Sequence, residues 1–331
     1  MQRSIKPAAA LPTAGSRRPA ALPRRLARGL KRRAAKNGTL LLMALPALLV
    51  LLMLNYLPMV GIVIAFKDYK AYQGIWGSAW VGLQNFHYLF SQDAWTITRN
   101  TLLMNSLFIV TTLVGALGVA VLLNEIRDTS KWGTKFYQSA IFFPFFMSWV
   151  IVATFAFAFL SADSGLLNNL LTSVGLPAQD WYASVNFWPA ILVVVNLWKV
   201  VGFNSLIYLA GMVAINPEYY EAARVDGASK WAQIRTITIP LIAPLITVNV
   251  LLQIGRIFYA DFGLFYQVPN NSPILYPATD VVDTYVFRSL IQIGDVGMAA
   301  AAGLYQAIVG FALVILANWF VRRIDPDRAL F

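Results

Sequence analysis

Six apolar runs, roughly 39–66, 100–123, 136–160, 187–212, 237–262 and 298–321, decide the solvent in which this chain folds. A helix needs about 20 apolar residues, at about 1.5 Å each, to cross the hydrocarbon of a bilayer. Every run reaches or exceeds that length. Only 12% of the 331 residues are charged, against about 25% in a typical soluble domain. The expected fold is an all-α integral membrane protein with six transmembrane helices. The first run contains Pro46 and Pro58, and Pro58 is expected to kink it or to end it near Tyr56. That run is too long for a cleaved signal and is not followed by a small-residue cleavage site.

Charge placement orients the spans. Residues 1–37 hold eleven Lys/Arg and no acid, which accounts for the whole net charge of +11. With six spans both termini share one side. The loops on that side, 124–135, 213–236 and the C-terminal tail, carry three Lys/Arg each, whereas the opposite loops hold only Lys67, Lys70, Arg99 and Arg288. The positive-inside rule therefore puts both termini in the cytoplasm. Residues 1–37 are read as a basic cytoplasmic tail and 38–331 as the six-span domain. The tail abuts a span and has no aromatic residue for base stacking, so it is expected to touch anionic lipid and not nucleic acid.

Several chemistries are excluded by residue type. The chain has no cysteine, hence no disulfide or zinc–thiolate centre, and its one histidine, His87, cannot make a two-histidine metal site. The dipeptide Gly-Lys never occurs, so there is no P-loop. No metal site and no bound cofactor are expected on this chain. An intramembrane enzyme would need a catalytic constellation that these residues cannot assemble.

In the outer loops, residues 80–90 put Trp80, Leu83, Phe86 and Phe90 on one face of an expected interfacial helix. VPNNSP signals a turn at 268–273, and DVVDTYVF at 280–287 is expected to be a short lid or partner-facing segment.

The loop at 216–240, NPEYYEAARVDGASKWAQIRTITIP, is the most informative stretch. Asn216 suits an N-cap, Pro217 the first helical position, and Glu218 and Glu221 the positive end of the helix dipole. Gly227 is expected to end the helix. A second short helical segment should lead through Pro240 into the fifth span. From the residues alone this hairpin is either a docking element or an ordinary connection.

Glu221-Ala222-Ala223, three residues, Gly227, nine residues, Ile237, one residue and Ile239-Pro240 resemble the EAA signature of ABC importer permeases, EAA-x3-G-x9-I-x-L-P. Ile239 replaces the usual Leu. YLPMVGIVIAFKDYK, WVGLQNF, NLWKVVGF and DTYVFRS are similar to the subgroup that carries oligosaccharides and polysaccharides, alginate oligosaccharides among them. The resemblance implies a type I importer permease in a bacterial inner membrane. It implies as partners a second six-span permease subunit, commonly a different chain, two ATPase subunits that bind ATP and magnesium, and an external solute-binding protein. It further implies that the hairpin couples to the ATPase, with Glu221, Ala222, Ala223, Arg224, Asp226, Gly227, Ile237 and Pro240 as the residues concerned.

Charged residues inside spans cost about 2.5–3.5 kcal/mol each on insertion scales and are functional candidates. Lys199 lies about 18 Å into the fourth span. Arg256 is expected toward the outer end of the fifth, near Tyr259 and Asp261. Asn249, Gln253 and Arg256 form a polar stripe on the fifth span, and Asn196, Lys199 and Phe203 share a face on the fourth. Such groups suit a sugar path, where hydroxyls bond to amides and C–H faces pack on rings. The alternative is structural: Lys199 pairs with a buried acid or helix-terminal carbonyls, and the amides bond between helices. Two cations favour an anionic sugar, against which Asp261 counts. The remaining alternative, a stand-alone secondary transporter or channel for a polar small molecule, lacks an internal repeat and midplane carboxylates.

Overall fold

The computed structural model describes residues 38–127 and 131–324. The basic tail of 1–37 lies outside the described residues. The chain divides into two compact units at Val60 and Gly61.

In the first unit, α1 (Gly38–Leu51) passes into a π-helical turn, Leu52–Tyr56. A 3-10 helix, Leu57–Phe66, then carries the chain into the second unit. Helical structure continues through Pro58, but its pitch changes after Tyr56. Proline has no N–H for the carbonyl four residues back and its ring crowds that carbonyl. The widened turn just before it accommodates both effects.

The second unit begins with a two-stranded hairpin, β1 (Lys67–Asp68) and β2 (Ala79–Trp80), paired antiparallel with Lys67 opposite Trp80. The buried Lys67 amine closes it by donating to the carbonyls of Ile75, Trp76 and Ser78. The single interfacial helix expected over 80–90 is interrupted: Trp80 belongs to β2, Gly82 turns the chain, and α2 covers only Gln84–Tyr88. Trp80, Leu83 and Phe90 are nonetheless exposed aromatic and apolar groups.

The spans follow. α3 (Ala94–Arg127) is the longest helix. α4 (Lys131–Phe142) and α5 (Trp149–Leu160) replace the single third span expected over 136–160. The segments Lys135–Phe146 and Trp149–Leu160 meet at 100°, so among the described residues five helices are long and apolar enough to cross a membrane, or six if this bent pair counts as one. Pro144 sits in a 3-10 turn at the end of the first limb, Met147 is extended, and Ser148 caps the second limb by accepting from the Ile151 N–H. α6 (Leu166–Ser173) and the following loop are fastened around Asn168, whose side chain bonds Ala162 O, Gln179 O, Gln179 N and Trp181 Nε1.

α7 (Trp188–Val213) packs along α3. Each helix buries one face: Ile97, Met104, Phe108, Thr112, Ala116 and Ala120 on α3, and Trp188, Leu192, Asn196, Lys199, Gly202 and Tyr208 on α7. Amides, hydroxyls and small residues lie inside, while Leu103, Leu107, Val110 and Val114 face out. This is the arrangement expected where lipid, not water, surrounds the helices. α8 (Pro217–Val225) is the first helix expected in the 216–240 loop. α9 (Lys230–Gln233) continues through a π-turn, Ile234–Thr238, into α10 (Ile239–Ile254). The second limb of the hairpin is thus the start of the fifth span itself, and Pro240 is preceded by a π-turn as Pro58 is.

Beyond α10 the chain unwinds, and the fifth apolar run leaves the helix eight residues before its expected end. α11 (Phe262–Gln267), α12 (Tyr276–Thr279) and α13 (Val282–Arg288) fill the loop before α14 (Val296–Ile324). Asn270 and Asn271 have φ of 53° and 46°, the turn that VPNNSP signals. The 280–287 segment is no free lid. Val281, Val282, Thr284 and Tyr285 are buried, and Asp280 pairs with Arg288.

Candidate functional site: a capped hairpin and a polar cavity

The hairpin is fixed by local chemistry. Asn216 Oδ1 accepts from the Glu218 N–H at 3.1 Å, and Pro217 opens α8. The helix closes through Ala228 N–H to Ala223 O at 2.8 Å and Gly227 N–H to Arg224 O at 3.1 Å, with Gly227 at φ +79°. That left-handed turn is the reason for glycine here. Ser229 then caps α9 by accepting from Ala232 N–H, and Gln233 Nε2 donates to Ala228 O.

Two ties hold the hairpin to the spans. Tyr220 Oη bonds Thr238 Oγ1 at 2.9 Å, joining α8 to the π-turn below α10. Lys230 Nζ lies 2.7 Å from Glu125 Oε2 on α3. The second tie is exposed and contributes little to stability. The outward side of α8 presents Tyr219, Glu221, Ala222, Arg224, Val225 and Asp226, with Val225 87% exposed. Ala223 is half-buried. Ile237 and Pro240 sit apart from this face, in the π-turn and first turn of the span. The signature therefore divides into a presenting helix and the flexible-pitch base beneath it. Tyr219 and Val225 went unnoticed in the sequence, although both lie at helical spacing from Ala222.

A cavity of about 360 Å³ lies between α3, α7, α10 and the turn after α10. Asn196, Gln253, Arg256 and Tyr259 line it, as do Asn105, Thr112, Asn204 and Asp261. Gln253 Nε2 donates to Asn249 Oδ1 at 2.9 Å, so Asn249 orients a lining amide from behind. Asn105 and Thr112 were overlooked. They are polar residues seven apart in the second apolar run, and the stripe argument applied to the fifth span would have found them. Arg256 is not within the fifth helix. It stands in the turn beyond Ile254, exposed, and has no carboxylate partner among the described residues. Asp261 carries its charge into three N–H groups: Trp149 Nε1 at 2.9 Å, Gly263 N at 3.0 Å and Leu264 N at 3.4 Å.

Lys199 and Phe203 are not in this cavity. Lys199 is buried and its amine donates to Met147 O at 2.6 Å, Phe145 O at 2.9 Å and Pro144 O at 3.4 Å. These carbonyls lie at the end of the first limb of the bent pair, where Pro144 O also accepts the Met147 N–H at 3.2 Å. Trp149 packs its ring 5.0 Å from the same amine. Phe203 stacks on Phe145 at 4.3 Å with the rings 8° from parallel, so one of its faces is already occupied. Lys199 thus binds helix-terminal carbonyls, the geometry of the structural alternative. Among the described residues no group of three His, Cys, Asp or Glu could hold a metal ion.

The sequence profile of the family described as binding-protein-dependent transport system inner membrane component matches residues 116–327. The polygalacturonan/rhamnogalacturonan transport system permease protein YteP of Bacillus subtilis (strain 168) is 35% identical over 289 residues, 87% of this chain and 89% of its own. The diacetylchitobiose uptake system permease protein NgcF of Streptomyces coelicolor is 31% identical over 255 residues, 72% of this chain and 70% of its own. Among solved structures, a chain of a bacterial ABC transporter involved in the import of the acidic polysaccharide alginate superposes with a TM-score of 0.80 at 33% identity, covering 89% of this chain and 99% of that one. A chain of the bacterial alginate ABC transporter in complex with alginate pentasaccharide-bound periplasmic protein gives 0.79 at 33% identity, covering 88% and 97%.

Proposed function

Because the chain belongs to the family of binding-protein-dependent transport system inner membrane components, we propose that it forms half of the membrane path of an ATP-driven importer of acidic oligosaccharides. It is a multi-pass inner-membrane permease subunit and not an enzyme. ATP and magnesium bind a separate ATPase, two copies of which engage a pair of permease subunits, and an external binding protein delivers the cargo. The second permease subunit is a different six-span chain. With both termini in the cytoplasm, α8 faces the ATPase and the turn after α10 faces outward.

The observation that carries this reading is the hairpin. α8 is capped at both ends and tied through Tyr220 and Thr238 to the base of a span that bounds the cavity. Glu221, Ala222, Arg224 and Asp226 offer small and charged groups to a partner, and Gly227, Ile237 and Pro240 shape the joint. A push on α8 then reaches α10, and with it the lining residues Gln253 and Arg256. The cavity suits a sugar: amides from three helices meet hydroxyls, Tyr259 supplies a ring face, and Arg256 is a cation with no carboxylate partner among the described residues. Two of the similar proteins are named for polysaccharides, polygalacturonan/rhamnogalacturonan and the acidic polysaccharide alginate.

Gentle purification from native membranes, with identification by mass of what accompanies the chain, tests the proposal. Stoichiometric recovery of an ATPase, a second six-span chain and a binding protein loaded with an acidic oligosaccharide is the expected result. Recovery of a neutral or non-sugar ligand would overturn the cargo, and recovery of the chain alone would overturn the assembly.

A further inference from the structure

We propose that Asp283 and Gln306 are positioning residues that hold Arg256 and Tyr259 in the transport cavity; this rests on reading that cavity as the path of the cargo. The turn after α10 is bonded to itself only in part. Arg256 N–H reaches Gln253 O at 3.0 Å, Ile257 N–H reaches Ile254 O at 3.0 Å, and Tyr259 N–H reaches Arg256 O at 2.9 Å. The carbonyls of Ile257 and Phe258 and the N–H of Ala260 are satisfied instead by side chains from three other elements.

Asn105 Nδ2 on α3 donates to Ile257 O at 2.8 Å. Gln306 Nε2 on α14 donates to Phe258 O at 3.0 Å and to Asp283 Oδ2 at 3.0 Å. Asp283 Oδ2 on α13 also accepts the Ala260 N–H at 2.8 Å. Gln306 is 7% exposed and Phe258 1%, so water does not replace these bonds. The grips fall at 257, 258 and 260, flanking the exposed residues 256 and 259. Irregular backbone among packed helices is stable only where its polar groups find such partners. Neither Asp283 nor Gln306 lines the cavity. Their geometry serves the turn. Burial raises the Asp283 carboxyl above its ordinary 3.8, which agrees with a site where an uncharged acceptor of the same shape is tolerated.

The test uses the intact transporter complex carrying Gln306→Leu, Asp283→Leu or Asp283→Asn. Amide hydrogen exchange over 255–262 is measured first, since it does not depend on cargo. Both leucine variants should exchange there about tenfold faster, while Asp283→Asn, which keeps an acceptor oxygen, stays near wild type. Uptake of alginate pentasaccharide should then show KM raised about tenfold with little change in maximal rate for the leucine variants, and recovery in Asp283→Asn. Unchanged exchange in both leucine variants overturns the clamp. Faster exchange with unchanged KM supports the clamp and refutes the reading of the cavity as the cargo path. Asp283→Asn behaving as Asp283→Leu would show that charge, not acceptor geometry, matters, and would also overturn the proposal.

Discussion

Replacing Lys199 with Met separates a structural lysine from a transport lysine. Met fills a similar volume and donates nothing. Three charge-assisted hydrogen bonds, to the carbonyls of Pro144, Phe145 and Met147, are lost. Bonds of this kind contribute about 1.5–3 kcal/mol each. Against that loss stands relief of the insertion cost of a cation within a span, about 2.5–3.5 kcal/mol. The net destabilisation is about 1–6.5 kcal/mol, concentrated at the 100° bend between α4 and α5. At about 2–4 °C per kcal/mol for a chain of this order of size, the thermal midpoint of the purified complex should fall by roughly 2–26 °C. Lys199→Arg should recover only part of it, because a planar fork does not match three carbonyls spread around a bend. The assay is thermal unfolding followed by intrinsic fluorescence, with uptake measured on the same preparations. A Met variant that melts with the wild type yet has lost uptake would refute the reasoning and return Lys199 to the pathway.

Other perturbations follow from the same geometry. An alanine Cβ at Gly202 would meet Ile141 O at 2.1 Å, so Gly202→Ala should destabilise the complex by about 1–3 kcal/mol or more; Gly303→Ala, with nothing within 4 Å, is the neutral control in the same melting assay. Gly227→Pro and Glu221→Lys should leave the chain inserted but abolish stimulation of ATP hydrolysis by cargo-loaded binding protein. Gly227→Ala should cost only about 1–2 kcal/mol, since its φ of +79° is strained for alanine while the space around it is open. Arg256→Gln should raise the KM for alginate pentasaccharide about ten- to a hundredfold, the loss of one bond to a charged group, in uptake kinetics.

How much of this could be read in the sequence depended on whether the cause was local. The hairpin was legible because Asn216, Pro217, Gly227 and Ser229 each act within a few residues of themselves. The spans were legible because lipid imposes a length. The bend between α4 and α5 was not, although Pro144 stood in plain view. Whether the helix bends at Pro144 depends on what satisfies the carbonyls around the break, and here Lys199, more than fifty residues further on, binds three of them. For the same reason Lys199 stood out as a pathway candidate: its partners are backbone oxygens, which leave no mark in the residue pattern. The cavity was half legible. Gln253 and Asn196 were found from helical spacing, whereas Arg256 was placed in a helix that ends two residues before it. The turn that follows that helix is held by Asn105, Asp283 and Gln306, from three other parts of the chain.

The central claim is that this chain moves cargo only when a separate ATPase drives it through α8. The complex recovered from native membranes, reconstituted in liposomes and supplied with its binding protein, should take up alginate pentasaccharide only when ATP is present on the α8 side. Uptake should cease with Glu221→Lys while the ATPase remains bound. Uptake by the chain alone, without ATP, would contradict the account and identify a stand-alone transporter.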